Sequence, residues 1–124
     1  MRKNPVVYWE LASHDAKKTV SFLKKVFGWA PEYDEKTTIY EYPADEAQKN
    51  FSGGGVFTLR RAKLPFLTIY IRVDDIEAKA KLVEKHGGFI VQAPNAINPG
   101  VKICLFNEPS GVTLAMIERP RQKH

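Results

Sequence analysis

Apolar and polar positions alternate in two stretches of the chain, and each stretch runs into a segment of helical period. Val6 to Ala12 alternates and is rich in β-branched and aromatic residues, the pattern of a half-buried strand. Ala16, Val20, Leu23 and Phe27 then recur at three-to-four-residue steps, which predicts a helix over 15–27 with one buried face. Ser13 or Asp15 is placed to cap it, and Gly28 to end it in a left-handed conformation. From Phe66 onward, Leu67, Ile69, Ile71 and Val73 alternate with Thr68, Tyr70 and Arg72. Asp74-Asp75-Ile76-Glu77 reads as a capping-box-like start, with an acid at the cap and Glu three residues on. The second helix runs to about His86, in the last turn, and Gly87-Gly88 stop it. The same offset separates Asp15 from Asp74 and Gly28 from Gly87. Self-similarity at about half the chain length implies two copies of one supersecondary unit.

The remaining segments complete each copy. A strand is expected near Lys36 to Tyr42, and Pro43 to Gly55 hold no clear element. Gly53-Gly54-Gly55 is expected to be a loop or bulge, a flexible bend at the lip of a pocket. It lacks the following Lys-Ser/Thr of a phosphate loop. Val56 to Arg61 reads as a short strand and Ala62 to Pro65 as a linker. Phe89 to Gln92 is a further strand, and Ala93 to Gly100 a loop long enough to act as a flap. Val101 to Phe106 and Val112 to Ile117 are strands joined by the turn Asn107-Glu108-Pro109-Ser110-Gly111. The order β-α-β-β(-β), twice, gives an α+β layout with helices on one side of mixed sheets. Residues 1–124 are expected to form one domain, with pseudo-repeat modules over about 6–61 and 66–118 and a basic tail over 119–124.

Composition narrows the classes. The apolar share of 44% and charged share of 27% are those of an ordinary globular chain long enough for a sizeable core. No apolar run approaches the ~18 residues of a membrane helix, and the start lacks a secretory h-region. A single cysteine forbids an internal disulfide, and a cytoplasmic location is expected. The net charge of +5 sits partly on Arg119, Arg121 and Lys123 and otherwise largely on helix faces. No stripe of interleaved aromatic and basic residues appears, so neither nucleic acid nor membrane is expected as a partner.

Three markers carry a resemblance over about Val6 to Glu118. They are the first strand followed by Asp15…Phe22…Val26-Phe27-Gly28-Trp29, then Val73-Asp74-Asp75-Ile76…Gly87-Gly88, then Asn107-Glu108-Pro109-Ser110-Gly111. Together they resemble the glyoxalase, bleomycin-resistance and extradiol-dioxygenase superfamily, also called vicinal oxygen chelate proteins. The FGW and GGG segments resemble a bacterial subgroup of small single-domain members. The resemblance implies two tandem βαβββ modules whose curled mixed sheets form an open cup, usually completed by a dimer partner. It fixes no reaction, because the superfamily spans isomerases, dioxygenases, epimerases, antibiotic-modifying enzymes and metal-free drug binders.

It also implies where a metal would be held. The matching positions are Tyr8, Thr68, Ala115 and, by a looser correspondence, one near Val56. None supplies the imidazole, thiolate or carboxylate that zinc, nickel and iron sites use, so no metal or other cofactor is expected. The three histidines, His14, His86 and His124, lie beside helix ends or at the terminus rather than on cup-facing strands.

Alternation assigns the cup lining. With Tyr8 inward, Glu10 and Ala12 share its face, while Trp9 and Leu11 pack on the helix. Thr68, Tyr70 and Arg72 share the corresponding face of their strand, and Thr113, Ala115 and Ile117 that of the last. Apolar walls with a few convergent polar groups suit a small organic ligand. Glu10 is the candidate catalytic acid or base, flanked by Trp9 and Leu11. The bland alternative pairs it with Arg72 or leaves it at an open rim. Tyr8 and Tyr70 are candidate hydrogen-bond donors to a ligand or packing residues. Arg72 either clamps a ligand anion or makes an ion pair. Thr68 and Thr113 complete the candidate ligand-binding set. Cys104, with no activating neighbour in sequence, reads as a buried filler, and Trp29 as a wedge between helix end and sheet.

Two functions remain open. One is a metal-independent enzyme, lyase- or isomerase-like, using Glu10. The other is a non-catalytic drug- or metabolite-binding protein of the resistance type. A basic chain favours a neutral or anionic ligand in either case. A third reading, nucleic-acid association through the basic surface, has only net charge behind it. Open sheet edges and an incomplete cup imply a homodimer.

Overall fold

The computed structural model describes residues 3–44, 52–60 and 63–120. Arg61, Ala62, Arg121, Lys123 and His124, and the stretch 45–51, lie outside the described residues. The element order is β1 (Val6–Ser13), α1 (Ala16–Phe27), β2 (Glu32–Asp34), β3 (Ile39–Tyr42), β4 (Gly53–Thr58), β5 (Phe66–Arg72), α2 (Ile76–Lys85), β6 (Phe89–Asn98), β7 (Val101–Asn107) and β8 (Thr113–Glu118). This is an α+β chain with the βαβββ order twice. It divides into two compact units, one of Tyr8–Thr68 and one of Ile69–His124 with Met1–Val7.

In the first unit the strands run β2-β3-β4-β1. β1 and β4 are parallel, and the other pairs are antiparallel. Asp15 caps α1, its side chain accepting from Lys18 N, and Gly28 ends the helix at φ 75°. Ala16, Tyr42 and Val56 are buried, with Trp9, Leu11, Val20, Leu23, Trp29 and Tyr40 packed against them. Trp29 therefore does wedge the helix end onto the sheet. Its ring centroid lies 6.1 Å from that of Trp9 and 5.8 Å from that of Tyr42. Phe27, expected on the buried stripe, is 60% exposed and touches the cluster through Trp29.

Two expectations for this unit are corrected, and one strand is added. Residues 36–38 belong to a turn, not to a strand. Asp34 Oδ1 accepts from Lys36 N, Asp34 O accepts from Thr38 N, and Thr38 takes φ 61°. That turn closes a hairpin whose first strand, β2, the sequence reading missed. The glycine triplet is no loop: it opens β4, paired on both sides with β1 and β3. The reason is close approach. A Cβ on Gly54 would lie 1.9 Å from the Trp9 indole, and one on Gly55 would lie 2.1 Å from the Tyr8 hydroxyl. The two side chains ride over the strand on opposite faces, which is where a strand interior tolerates glycine.

The second unit repeats the plan, with strand order β5-β8-β7-β6 and β5 and β8 parallel. Val73, Ile76, Ala80, Cys104, Phe106 and Met116 form its core, with Ile71, Val83, Ile90 and Leu114 against them. The cap of α2 is Asp75, accepting from Ala78 N, so Glu77 stands one place short of a capping-box partner. Glu77 instead pairs with Lys102 at 2.9 Å. The expected flap over 93–100 is also corrected. β6 runs on to Asn98 and pairs with β7, its register shifting at three places. One shift, between Gln92 and Asn95, spans Pro94, which has no N–H for a regular ladder. Among the described residues no helix is long and apolar enough to cross a membrane.

Candidate functional site

The face of the first sheet turned away from α1 gathers chemistry that no single segment announces. Trp9, Leu11, Tyr40, Tyr42 and Val56 belong to the core against α1. Strand alternation therefore puts Tyr8, Glu10, Ile39, Glu41, Gly55 and Phe57 on the other face. Direct contacts support this. The Tyr8 hydroxyl donates to Glu41 Oε1 at 2.9 Å and shares Oε2 at 3.0 Å. The Gly55 Cβ position is bounded by that hydroxyl and by Ile39 Cγ2.

The register lines up a row across four strands. Glu10 is opposite Gly55, Gly55 is opposite Glu41, and Glu41 is opposite Glu32. Glu10 and Glu41 are thus two strand spacings, about 10 Å, apart at Cα, with only a glycine between them. Both are half-buried. A cavity of about 470 Å³ lies on the Glu41 side, lined by Glu32, Tyr33, Asp34, Glu35, Lys36 and Glu41. Chemically the row offers two carboxylates able to accept or donate protons, and the space over Gly55 between them is filled by the Tyr8 hydroxyl and an Ile39 methyl. Tyr8 holds one of them by hydrogen bonds to both of its oxygens.

Of the residues singled out from sequence, Tyr8, Glu10 and Thr68 lie in the first unit. Tyr70, Arg72 and Thr113 lie in the second. Thr68 and Tyr70 are buried, at 3% and 8% exposure. Tyr70 and Arg72 are opposite Ala115 and Ile117 on β8. Ile71, Leu114 and Met116 pack toward α2, so Tyr70, Arg72, Thr113, Ala115 and Ile117 take the other face of that sheet. Thr113 Oγ1 donates to Asn107 Oδ1 at 2.6 Å. The Arg72 backbone is clamped by the chain start, its N–H donating to Pro5 O and its carbonyl accepting from Asn4 Nδ2. Glu41 was missed. The signal was present, since Tyr40 and Tyr42 alternate with Ile39 and Glu41, but its partner strand is the glycine triplet.

The metal positions implied by the resemblance do not fit a metal. The Tyr8 phenol is bonded to Glu41, Thr68 offers only a buried hydroxyl, and Ala115 has no donor. Val56 itself is fully buried in the core against α1, and its neighbours on the other face, Gly55 and Phe57, offer no side-chain donor atom. Among the described residues, Asp75, Glu77 and Glu118 bring carboxylate oxygens within 4.8 Å of one another. They serve the start of α2: Asp75 caps, Glu118 accepts from Ile76 N at 2.9 Å, and Glu77 pairs with Lys102. The Lys102 ammonium holds the Glu77 carboxyl below its ordinary value. Cys104 is fully buried on the α2 side with Phe106, and burial pushes its thiol up, away from the reactive thiolate.

Two βαβββ units with paired parallel first and last strands define a class of small α+β proteins. Residues 6–116 match the sequence profile of the Glyoxalase/Bleomycin resistance protein/Dioxygenase superfamily, and the chain belongs to that family. No curated protein sequence matches it. Among solved structures it is similar to methylmalonyl-CoA epimerase in complex with methylmalonyl-CoA and NH4+. That match has TM-score 0.64 at 17% identity, covering 95% of this chain and 96% of the other. A Streptomyces coelicolor methylmalonyl-CoA epimerase variant in complex with 2-nitronate-propionyl-CoA gives 0.65 at 16% identity, covering 99% of each chain. A hypothetical protein from Bacillus halodurans C-125 gives 0.72 at 15% identity, again covering 99% of each. At these identities the likeness speaks for the fold.

Proposed function

We propose that this protein moves a proton at a carbon next to a carbonyl in a small, neutral, oxygenated molecule. Glu10 and Glu41 act as the acid and base, and the family metal takes no part. The observation that carries this reading is the row Glu10–Gly55–Glu41, with the Tyr8 hydroxyl on Glu41. One carboxylate accepts the proton, and the carbon's electron pair passes into the carbonyl to give an enolate. The other member of the pair, as its carboxylic acid, returns a proton to carbon, and the carbonyl reforms. Return from the opposite side inverts the centre; return from the same side exchanges the proton only. The carboxylates disfavour an anion at this face, which selects the neutral ligand from the two classes the basic chain suggests. Tyr8 is a positioning residue. The fold shared with an epimerase supports this class of chemistry.

A neutral β-dicarbonyl compound in D₂O, with its uncatalysed exchange subtracted, is a suitable first probe, followed by simple neutral thioesters. Deuterium is expected to enter the carbon next to the carbonyl with wild-type protein. Glu10→Gln and Glu41→Gln should each slow it by about 100-fold or more, as loss of a general acid or base does, with binding retained. Tyr8→Phe should lower the rate less. Loss of affinity alone in both Gln variants would favour the binding-protein reading. We also propose a two-fold homodimer. β6 ends the second unit's sheet and exposes Phe89, Val91 and Ile97, an edge that a second copy can cover. Light scattering at rising concentration should give twice the chain mass; a persistent monomer would contradict it.

A further inference from the structure

On the opposite face of the first sheet, beside the start of α1, lies a second cavity of about 360 Å³. Its lining includes Lys17, Arg60, Asp15, Thr38 and the rings of Tyr33 and Tyr40. The two tyrosines are directly opposite on β2 and β3, their ring centroids 4.7 Å apart and tilted by 51°. Together they form an aromatic wall, and Tyr33 is half exposed. The Arg60 guanidinium is fixed in orientation, its Nη2 donating to Thr37 O at 3.1 Å and to the Thr38 hydroxyl. The first amides of α1 supply little of the attraction here. Lys18 N is already bonded to Asp15, and Ala16 N to the Thr58 hydroxyl.

We infer that this cavity is a separate binding site for a small aromatic monoanion, its carboxylate set toward Lys17 and Arg60 and its ring against Tyr33 and Tyr40. The volume lies in the range of small-ligand sites. With Nη2 engaged on the 37–38 turn, Arg60 meets the carboxylate through Nη1 or Nε as a single charge-assisted donor, and the Lys17 ammonium adds a point charge. The charges of Lys17 and Arg60 less that of Asp15 leave a net +1 on the wall, which suits one negative charge better than two. The tilted ring pair offers the flat apolar surface on which an aromatic body settles. The site shares Tyr33 with the cavity beside Glu41, but neither Glu10 nor Glu41 is among its lining residues.

Sodium benzoate is the probe, with benzyl alcohol and benzylammonium as neutral and cationic counterparts of the same size. Titrated into ¹⁵N-labelled protein, benzoate should shift the amides of residues 17, 38, 40 and 60 in a saturable way. The alcohol should bind about tenfold more weakly and the cation weaker still. Arg60→Gln and Tyr33→Ala should each weaken benzoate by about tenfold, whereas Glu10→Gln should leave it unchanged. Arg60 also braces the 37–38 turn, so Lys17→Gln, on the exposed first turn of α1, is the arm that leaves the hairpin intact. It should weaken benzoate several-fold with an otherwise unaltered spectrum. Equal affinity for acid and alcohol, shifts mapping elsewhere, or an unchanged affinity in Lys17→Gln would overturn the assignment.

Discussion

Gly54 and Gly55 look interchangeable in the sequence, yet they answer to different neighbours. Gly54 lies under the Trp9 indole in the core against α1, and Gly55 under the Tyr8 hydroxyl on the other face. A methyl at Gly54 must displace a rigid ring wedged between Trp29 and Tyr42, whose centroid is 5.5 Å away. A methyl at Gly55 meets the far end of Tyr8 and the Ile39 methyl. Gly54→Ala should therefore destabilise by about 3 kcal/mol, the upper end of overpacking, and Gly55→Ala by about 1 kcal/mol. Urea melts compare the two; a reversed order would contradict the facing assigned here. Gly55→Ala should also part Tyr8 from Glu41, and so slow the proton transfer more than it lowers stability. Tyr8 and Glu10 could be read from alternation alone. Glu41 could not, because its place depends on a glycine strand that propensity scores as loop.

Turns and caps carry the clearest pH signature among the elements. Between β7 and β8 the Glu108 carboxylate accepts from the Ser110 hydroxyl at 2.5 Å, from Ser110 N at 2.8 Å and from Val112 N at 3.1 Å. These bonds, the Ser110 hydroxyl first, hold its carboxyl below the ordinary value of 4.5. A folded value below the unfolded one means that the stabilisation is full above about pH 4.5 and fades as pH falls through the lowered value. Protection factors at Ser110 and Val112, the amide exchange rates taken relative to the intrinsic rate at each pH, should fall on acidification in that window, and Glu108→Gln should flatten the dependence. An unchanged pH profile in the variant would refute the role. The sequence marked this turn and both helices, because caps, periodicity and glycine stops are local. It missed β2 and the length of β6, because a three-residue strand and a bulged strand containing Pro94 acquire their form from the partner strand.

At the scale of the whole chain, the internal repeat was legible from one offset shared by two acid–glycine pairs, and the βαβββ order followed from it. The family follows from that order and from a profile match over residues 6–116. The chemistry is less legible, since a superfamily fold leaves the site to individual side chains. The residues at the implied metal positions are a phenol, a hydroxyl and two aliphatic groups, while carboxylates gather beside them on β1 and β3. The most direct test is the rate of deuterium entry next to the carbonyl of a neutral β-dicarbonyl compound, measured before and after exhaustive treatment with a strong chelator. The expected result is an unchanged rate that Glu41→Gln abolishes in both conditions. Exchange that vanishes on chelation, returns with a divalent cation and survives Glu41→Gln would contradict the assignment.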